Sequence, residues 1–120
     1  MAKSAPLRVW DEQINDYKLV DVTREQIVEA FKQYNIDYPK NDYHDEGHNP
    51  WLEDDIERPG AYEWAVWYEG RCYPGKYILR FVTGYGGFYG GWGNTKTNTV
   101  FDTLGFKVTP RPQLDRNWQP

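Results

Sequence analysis

The sequence predicts a small α+β domain, a small antiparallel or mixed sheet covered by about three helices. Three observations carry that prediction. A capped segment over residues 23–34 has helical periodicity. A β-prone run over residues 64–73 is broken by one short turn. Two further apolar segments with helical spacing then follow, ending in an alternating stretch at residues 106–108. A chain of 120 residues suits one domain.

Residues 1–21 show no clear period and read as an N-terminal arm, with a short strand or turn near residues 17–20. The domain proper spans residues 22–109. Thr23 and Gln26 form a capping box, and Ile27, Ala30, Phe31 and Tyr34 recur on one helical face. A helix is therefore expected over residues 24–34, with Asn35 as its stop. Residues 37–60 hold Pro39, Pro50, Pro59, Gly47 and Gly60 and read as a long acidic loop. Trp64–Tyr68 is rich in strand formers, Glu69-Gly70 makes a turn, and residues 71–73 return as a second strand. Pro74 opens a helix over residues 75–82, whose apolar positions are Tyr77, Ile78, Phe81 and Val82, and Gly84 closes it. Residues 85–93 form a glycine-aromatic loop. Asn94 or Thr95 caps a third helix with Val100, Phe101 and Leu104 on its apolar face, and Gly105 ends it. Residues 106–108 form a strand, and residues 110–120 a tail.

Composition narrows the function classes. Aromatics make up 18% of the chain, with six Trp and ten Tyr, enough to fill a small core and leave rings for a surface. Cys72 is the one cysteine, which excludes an intramolecular disulfide and a cysteine-based zinc site. With neither a leader-like segment nor a membrane-length apolar run, the chain reads as cytoplasmic. The net charge of −4 hides a split. Residues 1–70 carry seven Lys/Arg against sixteen Asp/Glu, whereas residues 71–120 carry seven against two. Either two faces meet different partners or the halves neutralise each other in the fold.

The glycine loop leads into a helix start, an arrangement that can hold an anion on backbone N–H groups beside Lys96 and neighbouring threonines. The same loop also reads as a tight structural connection. It is neither a Walker loop nor a dinucleotide fingerprint. The basic set is Arg71, Lys76, Arg80, Lys96, Lys107 and Arg111, with Lys76 and Arg80 on one helical face. His44 and His48 stand among breakers without the ligand set a metal needs. Cys72 fits a buried strand position. No nucleophile–base pair is visible, so neither catalysis nor a cofactor is expected.

The segments Tyr62 to Val66, Gly70-Arg71-Cys72-Tyr73-Pro74-Gly75-Lys76, Tyr89-Gly90-Gly91, Asn98 and Leu104-Gly105-Phe106-Lys107-Val108 occur in an order that resembles one family. That pattern is similar to the N-terminal domain of modification-dependent HNH endonucleases of the McrA type, over about residues 22–109. The resemblance implies a nucleic-acid-facing module in a restriction or defence setting, without the nuclease site itself.

Two expectations follow. In the first, the domain binds nucleic acid, with modified DNA as the ligand the resemblance suggests. Arg71, Lys76, Arg80, Asn94 and Lys96 would face phosphate, while Tyr73, Tyr89 and Trp92 would stack on bases or line a pocket. In the alternative, the domain is a protein-interaction module, such as a phage or mobile-element defence inhibitor. Its loop acids Asp42, Asp45, Glu46, Glu53, Asp54, Asp55 and Glu57 would imitate DNA phosphates toward a basic partner. No membrane partner is expected.

Overall fold

Alternation sets the first element. Ala5, Leu7, Val9 and Asp11 are buried while Ser4, Pro6 and Arg8 between them face out, the period-two signature of a half-buried strand. A computed structural model describes residues 3–37 and 64–111. In it the stretch expected to be an arm is a hairpin: β1 (Ser4–Asp11) pairs antiparallel with β2 (Asp16–Thr23). The Asp11 carboxylate accepts the Gln13 N–H at 2.9 Å, and Asn15 takes a positive φ of 51°. Both are turn chemistry that needs no glycine. Pro6 has the same parity as Arg8 and Trp10, whose N–H groups point away from β2, so its ring removes no bond from the β1–β2 ladder.

Helix α1 (Arg24–Asp37) starts at the expected capping box. Gln26 N–H donates to Thr23 Oγ1 at 3.1 Å, and Thr23 N–H donates to Gln26 Oε1 at 2.9 Å. Ile27, Ala30, Phe31 and Tyr34 are its buried face, as their spacing predicts. Asn35 does not stop it. The helix runs on to Asp37, whose carboxylate accepts from Gln33 Nε2 at 2.9 Å.

The second sheet is antiparallel in the order β4–β3–β5, with β3 (Trp64–Tyr68), β4 (Arg71–Pro74) and β5 (Lys107–Pro110). Glu69 and Gly70 both have positive φ, 51° and 80°, the geometry of a two-residue hairpin turn. Helix α2 (Gly75–Thr83) buries Gly75, Ile78 and Leu79. Its apolar stripe is thus one residue away from the expected one. Leu79 faces in, while Phe81 is turned out and 53% exposed. Helix α3 (Thr97–Thr103) starts later than expected, with Lys96 at the N-cap position.

Both sheets and all three helices close on one apolar cluster. Its centre is aromatic. Phe31 stacks on Tyr73 with centroids 4.2 Å apart, Phe106 meets Phe31 edge-on at 5.5 Å, and Tyr34 meets Tyr73 edge-on at 5.3 Å. Among the described residues, no helix is long and apolar enough to cross a membrane. The acidic positions Asp42, Asp45, Glu46, Glu53, Asp54, Asp55 and Glu57, the His44/His48 pair and the tail from residue 112 lie outside the described residues.

Candidate functional site

The glycine loop is held along the free edge of β1. Trp10 N–H donates to Gly87 O at 2.6 Å, and Arg8 N–H donates to Thr95 O at 3.1 Å. Phe88 is buried and pins the loop to the core. The loop thereby covers an edge strand that would otherwise present unpaired amides.

The loop also changes what the start of α3 can do. Thr97 N–H donates to Tyr89 O at 3.2 Å and Asn98 N–H to Gly91 O at 3.0 Å. Lys96 N–H donates to Gly93 O at 3.0 Å, and Gly93 N–H donates to Thr99 Oγ1 at 2.9 Å. The amides of Gly93, Lys96, Thr97 and Asn98 are therefore spent on loop carbonyls and a hydroxyl. Asn94 and Thr95 do not cap the helix by side chain, and Thr95 sits at a positive φ of 66°. At these four amides the loop and the start of α3 form a tight structural joint, the second reading the sequence allowed.

What the loop presents outward is rings and side-chain cations. Tyr89 is 56% and Trp92 50% exposed. The ammonium end of Lys76 lies on the loop: a Cβ at Gly90 would stand 2.9 Å from its Cε and 3.5 Å from its Nζ. Arg80 lies beside Gly86, where a Cβ would be 3.4 Å from Nε, and the Lys96 stem folds over Gly93, where a Cβ would be 3.1 Å from Cδ. None of these three cations has a carboxylate within ion-pair distance among the described residues. Asn94 is exposed at the end of the loop. Five expected residues, Lys76, Arg80, Tyr89, Trp92 and Lys96, thus share one surface, with Asn94 at its margin.

Two expected residues do not belong to it. Tyr73 is 2% exposed beneath Phe31 and Tyr34, so it cannot stack on a ligand. Burial pushes its hydroxyl above the ordinary tyrosine value. Arg71 lines a separate cavity of about 290 Å³ with Val28, Lys32 and Asn35. Lys107 and Arg111 leave the loop as well, at β5 and just beyond it, and the Lys107 ammonium lies 5.8 Å from the Trp67 ring centroid. Cys72 is buried in β4, as its residue type suggests.

The hairpin supplies residues that sequence reasoning missed. Arg8 and Trp10 stand on its outer face opposite Leu19 and Tyr17. The Arg8 guanidinium lies 4.1 Å from the Tyr17 ring centroid. Trp10 meets Tyr17 edge-on at 5.1 Å. Tyr17 is nearly parallel to Tyr89, with centroids 6.0 Å apart and the two hydroxyls sharing a 2.9 Å hydrogen bond. That bond, then desolvation, raises the Tyr17 pKa. Trp92 continues the surface with an edge contact to Trp64 at 6.5 Å. The signal was present as alternation in Arg8-Val9-Trp10, but it is hard to read without the strand that pairs with it.

Lys18 is not part of this surface. It bonds Asp11 at 2.9 Å and lies 4.7 Å from the Tyr85 ring centroid. The Tyr85 hydroxyl and the Asp11 carboxylate raise its pKa, and Lys18 together with the Gln13 N–H lowers that of Asp11. Because the folded Asp11 value is depressed, its stabilising effect is complete above the ordinary carboxyl value of 3.8. The effect fades as pH falls through the folded value. Thermal melts between neutral pH and pH 2 are expected to show a smaller acid loss for Asp11→Asn than for the native protein. Equal losses would show that the pair contributes nothing. An open groove of about 480 Å³ runs beside this pair, lined by Trp10, Asp11, Glu12, Gln13 and residues 84–87. Its lining carries two carboxylates, Glu12 and the Lys18-paired Asp11.

Among the described residues no group of three or more His, Cys, Asp or Glu is placed to hold a metal ion. In comparisons with protein-family models, curated proteins and solved structures, nothing matches this chain significantly.

Proposed function

We propose that the domain is a non-catalytic nucleic-acid-binding module. One observation carries the reading: Lys76, Arg80 and Lys96 lie along the glycine loop without ion-pair partners among the described residues and accompany the exposed rings of Tyr89 and Trp92. Cations follow phosphates, and open rings accept base faces. Residues 85–99 contain no Asp, Glu, His or Cys, which supports binding over chemistry on this surface. A preference for modified DNA, in a restriction or defence setting, is the finer part of the proposal and rests on the resemblance to McrA-type N-terminal domains. The alternative, capture of a basic protein by the acidic loop, draws on residues outside the described ones.

The test is fluorescence anisotropy with duplex and single-stranded oligonucleotides, with and without modified cytosine, across a salt series. Binding is expected to weaken with salt. Replacing Lys76 and Lys96 together by Ala is expected to flatten the slope of log K against log[salt] by about 1.4–1.8, from roughly 0.7–0.9 per phosphate contact. No binding to any oligonucleotide at low salt, or an unchanged slope in the double variant, would overturn the proposal.

A further inference from the structure

We infer that the preferred ligand is single-stranded, with an unpaired base laid on Tyr89, the open end of the row Trp10–Tyr17–Tyr89. This inference rests on the nucleic-acid reading above and names the strand class. The row joins two elements far apart in sequence. Trp10 and Tyr17 come from the outer face of the hairpin, and Tyr89 is tied to Tyr17 through their hydroxyls. Arg8 covers the Tyr17 ring, which leaves Tyr89 as the most open member at 56% exposure.

Three features favour single strands over a duplex. Base faces in a duplex are stacked inward and only edges and backbone are offered, whereas an open ring suits a base whose own face is free. The start of α3 does not serve as a groove-reading helix. The first turn of α3 is buried at Thr97, Asn98, Val100 and Phe101, and its leading amides are bonded to the loop. Charge points the same way. Four cations, Arg8, Lys76, Arg80 and Lys96, flank the rings, but Asp21 is exposed on the same outer face of β2 as Tyr17, and Glu12 and Asp16 are exposed at the hairpin turn. A duplex carries one charge per 1.7 Å or so of axis and would bring phosphates onto those acids. A single strand can follow the cations alone.

The experiment compares dT20, rU20, a plain 20-base-pair duplex and the same duplex with modified cytosine, by anisotropy and by quenching of tryptophan fluorescence. Single strands are expected to bind at least tenfold more tightly than either duplex, and dT20 against rU20 tells which sugar is preferred. Tyr89→Ala is expected to weaken single-strand binding by about 5- to 150-fold, the range for loss of one stacked base, and to weaken duplex binding by a smaller factor. Tyr89→Phe, which keeps the ring and loses only the hydroxyl, is expected to bind like the native protein. A duplex bound as tightly as single strands would overturn the inference and leave nucleic-acid binding standing. So would equal losses on both for Tyr89→Ala, or a Tyr89→Phe as weak as Tyr89→Ala. Absence of binding to all four would remove the underlying reading as well.

Discussion

Phe31→Ala is expected to destabilise the domain by about 3–5 kcal/mol, the range for emptying a buried aromatic site. The reason is position. Phe31 is 1% exposed and touches three other rings: Tyr73 at 4.2 Å, Tyr68 at 5.3 Å and Phe106 at 5.5 Å. Those rings come from β3, β4 and the segment after α3, so one side chain of α1 joins most of the fold. Domains of this size have total stabilities of about 5–15 kcal/mol, so the variant is expected to be partly unfolded at room temperature or to melt about 10–30 °C lower. Phe31→Leu is the informative companion. It keeps most of the volume and loses the ring–ring geometry, which is worth about 0.5–1.5 kcal/mol per pair, so it is expected to fold with a smaller loss. Urea unfolding of the three proteins would check this. A Phe31→Ala loss under about 1.5 kcal/mol, outside the range for buried aromatics, would show that the ring is not central.

What was legible in the sequence is what short-range physics decides. Thr23 and Gln26 satisfy each other within one turn, so the start of α1 could be read directly. The turn at Glu69-Gly70 and the stop at Gly84 depend on their own backbone angles. The hairpin over residues 4–23 was not legible because its evidence is non-local. β2 mixes Tyr17, Lys18 and Asp21 with apolar residues, and β1 is completed by loop carbonyls about eighty positions away. The candidate site divides the same way. Tyr73 and Tyr89 are the same residue type in similar glycine-rich surroundings. One is buried because Phe31 and Tyr34 pack onto it, and the other is open because its loop ends on the surface. The sequence places Tyr73 in a strand and Tyr89 in a loop, but what packs onto each ring comes from distant positions. Likewise Asn94 and Thr95 have good capping chemistry, but Tyr89 and Gly91 carbonyls reach the α3 amides first.

Gly87→Ala is expected to unseat the loop and with it the binding surface. A Cβ at residue 87 would stand 2.8 Å from Trp10 Cβ and 3.8 Å from Trp10 Cα. Those atoms belong to, or directly join, the β1 backbone, so no side-chain rotation relieves the contact and either the strand or the loop must shift. A shift strains the Trp10 N–H to Gly87 O bond, 2.6 Å in the native protein. Overpacking of about 1–3 kcal/mol and a lost hydrogen bond of about 0.5–1.5 kcal/mol together suggest a destabilisation of about 2–4 kcal/mol. The neighbouring residue supplies the control. The atoms nearest to a Cβ at Gly86 are those of the Arg80 side chain, from 3.4 Å, in ordinary contact with a flexible group. Gly86→Ala is therefore expected to stay within about 0.5 kcal/mol of native stability, as surface substitutions usually do. Paired denaturation curves read the stability difference, and oligonucleotide titrations of the folded variants read its consequence. Displacing residue 87 moves Tyr89 away from Tyr17 and Trp10, so Gly87→Ala is expected to lose oligonucleotide binding beyond what Gly86→Ala loses. Equal stability in the two variants would mean that the loop is not held by β1. Full binding by a destabilised Gly87→Ala would mean that the surface does not depend on that hold.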